Sequence, residues 1–190
     1  MNNDNFFHKN ANLIINELNE ALLKVDENEV YELIEIINKS EKIFFIGVGR
    51  VMTMLQSIAK RLKHIGYDTY IVGETTEPPI TDKDLLIVGS GSGSTLIPSG
   101  IARKAKSFGA KIAHIGVIPD NPLKEITDVF VRIPVKSKKN LPDQVESKQP
   151  MTSLFEQSLL LLGDAITLTI LDLKDEPVNE SMWSNHANLE

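Results

Sequence analysis

Cysteine is missing from all 190 residues. That excludes a disulfide framework, a thiolate nucleophile and any cysteine-ligated zinc or iron–sulfur centre, so the chemistry must run on oxygen and nitrogen groups. An excess of positive charge is missing too. Lys+Arg number 20 against 26 Asp+Glu, a formal charge of −6, and bulk electrostatics therefore exclude a binder of the nucleic-acid backbone. No uninterrupted apolar run reaches the length of a membrane span; the longest, Leu159 to Leu171, is broken by Asp164 and carries Thr167 and Thr169. The Asn-rich start, Met1 to Asn10, has no basic segment leading into an apolar one, so a cytoplasmic protein without a secretory signal is expected. What is present, 42% apolar and 24% charged residues, is the composition of an ordinary folded chain, and one compact domain over residues 1–190 is the expected count.

Apolar residues recur at helical spacing at Leu13, Ile14, Leu18, Leu22 and Leu23, and again at Val30, Leu33, Ile34, Ile36 and Ile37 after a polar break. Two helices are therefore expected within residues 1–40. From Lys42 the period changes. Ile43-Phe44-Phe45-Ile46-Gly47-Val48 is a short continuous apolar run, the pattern of a strand buried on both faces and hence parallel. A glycine turn and a helix to about Ile65 follow. Further β-rich runs at Thr69 to Val72, Leu85 to Val88, Lys111 to Val117 and Val129 to Ile133 leave room for crossover helices between several of them. Residues 41–135 thus read as an α/β core with about five parallel strands.

Residues 136–150 turn polar and lose periodicity, with Pro134, Pro142 and Pro150 as breakers, and read as a mobile loop. Residues 151–190 hold a long helix from about Thr152 to Leu173 and a short one in the tail, for whose first turn Pro177 is suited. The long helix is apolar nearly all round at Leu159 to Leu162, so it is expected to pack against another subunit.

Gly89-Ser90-Gly91-Ser92-Gly93-Ser94-Thr95 directly follows the Leu85–Val88 strand and precedes a helix. In that context glycines let backbone N–H groups turn inward, the helix start adds partial positive charge, and the hydroxyls of Ser90, Ser92 and Thr95 can donate to phosphate oxygens. A small phosphate ester is the expected guest, and the competing reading is a solvent turn with Ser94 or Thr95 as helix cap. No Gly-Lys-Ser/Thr tripeptide occurs, so the loop is not a nucleotide P-loop. Gly47-Val48-Gly49-Arg50 follows the first strand, but the third glycine of a dinucleotide fingerprint is replaced by Met52. Arg50 adds a fixed cation to the same carboxyl edge of the sheet.

With these residues in view the chain resembles the 6-phospho-3-hexuloisomerase family of the sugar isomerase (SIS) domain superfamily. The resemblance is carried by Gly47-Val48-Gly49-Arg50, Arg61-Leu62-x-His64-x-Gly66, Val72-Gly73-Glu74-Thr75-Thr76, Gly89-Ser90-Gly91-Ser92-Gly93, Pro150-Met151 with Leu154-Phe155-Glu156, and His186-Ala187-Asn188-Leu189-Glu190. It implies a three-layer α-β-α sandwich with a five-stranded parallel sheet, a homotetramer, no cofactor or metal, and a small phosphosugar as partner. The implied reaction interconverts 3-hexulose 6-phosphate and fructose 6-phosphate in the ribulose monophosphate route of formaldehyde fixation. Carried over by position, Ser90, Ser92 and Thr95 would hold the phosphate, Gly47, Gly49 and Arg50 would line the cleft, and Glu156 would be the carboxylate base; Glu74 could orient sugar hydroxyls, the competing reading being an acidic turn in water. Three positions depart from the pattern: Val51 stands where serine is usual, Glu77-Pro78-Pro79-Ile80 replaces a Thr-Pro-Ala-Ile, and Thr152 replaces a glycine.

Moving a carbonyl from C3 to C2 requires removal of the C2 proton, a 2,3-enediol, and a proton returned to C3. One carboxylate near carbon and one donor near the oxygens suffice. Glu156 fits the first role if Leu154, Phe155 and Leu159 lift its pKa; the competing reading is the capping box Ser153-x-x-Glu156. His186 fits the second if the tail folds over a cleft, that of a neighbouring subunit for preference. His64 reads as structural, and His8 and His114 carry no supporting pattern. Two other functions share these residues: a non-catalytic sugar-phosphate sensor, and an isomerase of another phosphosugar such as arabinose 5-phosphate.

Overall fold

Each short apolar run of the middle third becomes a strand with both faces covered. In the computed structural model, which describes residues 5–176, 180–187 and 189, β1 (Ile43–Ile46), β2 (Thr69–Ile71), β3 (Leu85–Gly89), β4 (Lys111–Gly116) and β5 (Val129–Arg132) form one sheet in the order β2-β1-β3-β4-β5. Every neighbouring pair is parallel, as continuous rather than alternating hydrophobicity requires. Between the strands run α3 (Arg50–His64) and α4 (Leu96–Ser107); α1 (Phe6–Leu23) and α2 (Glu27–Lys39) precede the sheet, and α5 (Ser153–Lys174) and α6 (Glu180–Ser184) follow it. Pro177 lies outside the described residues.

The core divides by sheet face, which gives the expected three layers. Phe45, Leu85, Ile87, Ala113 and Ile115 pack with the apolar faces of α1, α2, α3 and α5. Phe44, Ile46, Leu86, Val88 and Ile112 pack with Ala102 and Ala105 of α4 and with Leu123. Alternation along each strand sends successive side chains to opposite layers.

One expectation is narrowed and one is revised. Most of the all-round apolar surface of α5 is buried by this chain itself: Leu159, Leu162, Ile166, Ile170 and Leu171 are core, while Leu161, Leu168 and Leu173 stay exposed. By length and composition α5 could cross a membrane, and most of it is buried within the fold. The 136–150 segment, expected to be mobile, is tied down. Val135 bridges Val145, Val145 is buried, Arg132 makes a paired contact with Asp143, and the Glu17 carboxylate of α1 accepts from Ser147 Oγ (2.7 Å), Lys148 N (2.9 Å) and Gln149 Nε2 (2.9 Å). Polarity without periodicity marked a segment held by hydrogen bonds instead of by a core. On the sheet's outer border, Glu29 of α2 accepts the backbone N–H of Arg132 in β5 at 2.7 Å.

Candidate active site

The strand order changes direction at the centre of the sheet. From β1 the chain goes to β2 on one side, and from β3 to β4 on the other. In an open parallel sheet the crevice at the carboxyl ends of such a pair is where ligands bind, and here it lies between the loop 47–49 and the loop 90–95.

Gly49, the residue before α3, has φ 58° and ψ −139°, a backbone state that side chains disfavour. Gly47 serves packing: a Cβ there would stand 3.0 Å from Leu55 and 3.2 Å from Val51, and one at Gly89 would stand 2.8 Å from the same two side chains. Val51, the departure from the usual serine, is therefore an apolar wedge between the ends of β1 and β3.

In the second loop Ser90 is buried. Its Oγ lies 3.1 Å from Thr95 Oγ1 and accepts from Gly93 N at 3.1 Å. Ser92 is exposed and its Oγ accepts from Ser94 Oγ at 2.9 Å. Thr95 precedes α4 without a side-chain capping bond, so the loop is not explained as a cap. Its carbonyls are turned into the protein: Gly91 O accepts from Val117 N (2.9 Å) and Ile118 N (3.1 Å), Gly93 O accepts from Ser99 Oγ (3.0 Å), and Ser90 O lies 2.7 Å from His114 Nε2. Among the described residues the N–H groups of Gly91, Ser92 and Thr95 have no acceptor. Unpaired amides at a helix start make an anion cradle.

The third component comes from α5. Glu156 has a side chain only 9% exposed; one oxygen accepts from Arg50 Nε at 2.5 Å and the other from Thr152 Oγ1 at 2.8 Å. The capping box is not formed, because Ser153 Oγ donates to Pro150 O instead. The carboxylate does not sit among apolar neighbours alone: it is held between the Arg50 guanidinium and the Thr152 hydroxyl. Thr152, read from the sequence as a lost glycine, supplies one of its two partners. The next-door residue Phe155 lies within 4.0 Å of where a Cβ on Gly91 would stand, so the start of α5, the phosphate-type loop and Arg50 converge on one crevice.

Other expected residues lie elsewhere. Glu74 is exposed in the turn after β2, on the outer strand, and Glu77 closes that turn by accepting from Gly73 N at 2.5 Å. His186 stacks on His64 at a centroid distance of 5.2 Å and lies 5.3 Å from Trp183; Asn185 donates to His64 O at 3.1 Å. His64 ends α3, whereas Arg50 begins it. Fifteen residues at 1.5 Å each put His186 roughly 20 Å from the crevice of its own chain. Sequence reasoning missed His114 as a neighbour of the loop and missed the Arg50–Glu156 pair, whose members are 106 residues apart.

The profile of the SIS domain matches residues 36–167, which includes both loops and Glu156. The chain belongs to the SIS domain family. This SIS chain is 38% identical over 177 residues to a 3-hexulose-6-phosphate isomerase of Bacillus subtilis, covering 93% of this chain and 95% of that one. It is 37% identical to the 3-hexulose-6-phosphate isomerase of Mycobacterium gastri, covering 95% and 90%. A solved structure from Methanococcus jannaschii, for which a molecular function of 3-hexulose-6-phosphate isomerase was inferred, superposes with a TM-score of 0.81 at 31% identity over 96% of this chain and 99% of that one.

Proposed function

We propose that this protein is an isomerase that interconverts 3-hexulose 6-phosphate and fructose 6-phosphate, working as a cytoplasmic homotetramer in the ribulose monophosphate route of formaldehyde assimilation. The observation that carries the reading is the buried Glu156 carboxylate, paired with Arg50, in the same crevice as a loop whose amides face outward. One group grips an anion and the other can move a proton, which is what a phosphosugar isomerase needs. The relatives' shared name supplies the sugar.

In this reading the phosphate rests on the N–H groups of Gly91 and Ser92 and on the hydroxyls of Ser90, Ser92 and Thr95. Glu156 takes the proton from C2, electrons move into the C2–C3 bond, and the C3 oxygen is protonated to give the 2,3-enediol. Returning a proton to C3 while the C2 hydroxyl loses its own gives the 2-ketose. Arg50 holds the carboxylate in place for its role as base. The proton moving between the two oxygens is assigned to His186 of a neighbouring subunit, since the chain's own copy lies at the far end of α3.

The test is turnover. Purified protein given 3-hexulose 6-phosphate is expected to yield fructose 6-phosphate without added metal or nucleotide. Glu156→Gln should lower kcat by about 10²-fold or more while fructose 6-phosphate still binds. An active variant with a lowered Tm would make Glu156 a structural residue, and binding without turnover by the unsubstituted protein would make the chain a sugar-phosphate sensor.

A further inference from the structure

His114 sits in the middle of β4, fully buried, opposite Val88 of β3 and Phe130 of β5. Its Nε2 lies 2.7 Å from the carbonyl oxygen of Ser90. A carbonyl only accepts, so Nε2 carries the proton and the neutral ring is the Nε2–H tautomer. The ring packs at 5.0 Å against Phe130, and Nδ1 is buried without a partner among the described residues. A Cβ on Gly116 would stand 2.6 Å from His114 Nε2 and 2.7 Å from Ser90 O. The pattern His114-x-Gly116 therefore provides both the donor and the space it needs.

The consequence follows from peptide planarity. The carbonyl of Ser90 and the N–H of Gly91 belong to one trans peptide unit and point in opposite directions. Holding Ser90 O toward the core aims the Gly91 N–H into the crevice. The next unit is fixed likewise, with Gly91 O on Val117 N and Ile118 N, which aims the Ser92 N–H outward. Backbone donors of β4's extension fix the second unit; for the first, the inward donors are the His114 side chain and, at 3.3 Å, Gly93 N.

We propose that His114 is a positioning residue for the phosphate loop: its Nε2–H, given clearance by Gly116, locks the Ser90–Gly91 peptide so that the Gly91 amide is presented to the substrate's phosphate. The inference deepens the proposed function and rests on its phosphate-loop assignment. Glutamine carries its amide nitrogen the same number of bonds from Cβ as the histidine Nε2 and so retains the donor. Leucine fills the space and removes it.

The experiment titrates the full-length protein with inorganic phosphate, following the backbone amide resonances of Gly91 and Ser92. The unsubstituted protein should bind with shifts at both amides. His114→Leu should bind roughly three- to tenfold more weakly, the range a single uncharged hydrogen bond supplies, and His114→Gln should return to within about twofold. Gly116→Ala, which drives a methyl between the two partners, should behave as His114→Leu does and carries the comparison if the leucine variant does not fold. In turnover the loss should fall on KM for 3-hexulose 6-phosphate rather than on kcat. Equal phosphate affinity in all four proteins, or no phosphate binding by the unsubstituted one, overturns the inference. Phosphate binding that tracks the donor in a protein unable to isomerise the sugar would leave it standing and remove the proposed reaction.

Discussion

Two buried histidines, His64 and His114, each hold a ring nitrogen with no partner among the described residues, and both are pushed below the ordinary imidazole range. For His114 the cause is burial, opposed by the Ser90 bond; for His64 it is burial, then the charges of Lys60, Arg61 and His186. With lowered folded values, the unfolded chain takes up protons that the folded chain refuses once the pH falls below about 6.5. The stability these rings contribute is complete above that pH and is lost progressively beneath it. Urea midpoints should therefore fall between about pH 7 and pH 5.5, His114 alone giving a slope of up to about 1.4 kcal/mol per pH unit. His114→Gln, which does not titrate, should flatten that slope, and an unchanged slope would show that the ring is protonated inside the fold. The same ring thus links loop geometry to acid sensitivity.

At the scale of elements, α1 and the 136–150 segment are joined through one carboxylate. Burial acts to raise Glu17, but the Lys148 N–H, the Ser147 hydroxyl and the Gln149 amide outweigh it and hold its pKa below the usual carboxylate range. Because the segment runs directly into Thr152 and Glu156, its anchoring fixes the entrance to α5. Glu17→Ala removes all three acceptor contacts and should destabilise the fold by about 1–3 kcal/mol, with faster tryptic cleavage after Lys138 or Lys139. Cleavage at the parent rate would mean that the Val135–Val145 bridge holds the segment unaided. This anchor also shows what the sequence could and could not convey. The five strands and the Ser90–Thr95 loop were legible because periodicity and glycine spacing are local properties. The Glu17 clamp, the Arg50–Glu156 pair and the His114–Ser90 bond join residues 130, 106 and 24 positions apart, and no local pattern marks either partner. Helix α5 was ambiguous for a related reason: its apolar girth was plain, but how much of it α1 and α3 would cover and how much would be left for a second chain depends on topology.

For the whole molecule the decisive distance is the length of α3, which separates Arg50 from the His64–His186 stack. If His186 acts in catalysis, it acts in the crevice of another copy, and the exposed Leu161, Leu168 and Leu173 on α5 offer apolar surface for assembly. Glu156→Gln and His186→Ala subunits, each inactive alone, should regain activity when unfolded and refolded together, approaching about a quarter of the parent value if subunits mix at random. No recovery would return His186 to a role within its own chain or to none in catalysis.

A sheet of parallel strands ends in a row of unsatisfied backbone groups, which invites pairing with a foreign strand. At the β5 border the Glu29 carboxylate already occupies the Arg132 N–H, so a would-be sixth strand meets a negative charge where it needs a donor. Helix α2 thereby acts as a kerb: growth of the ribbon from molecule to molecule is refused at that margin.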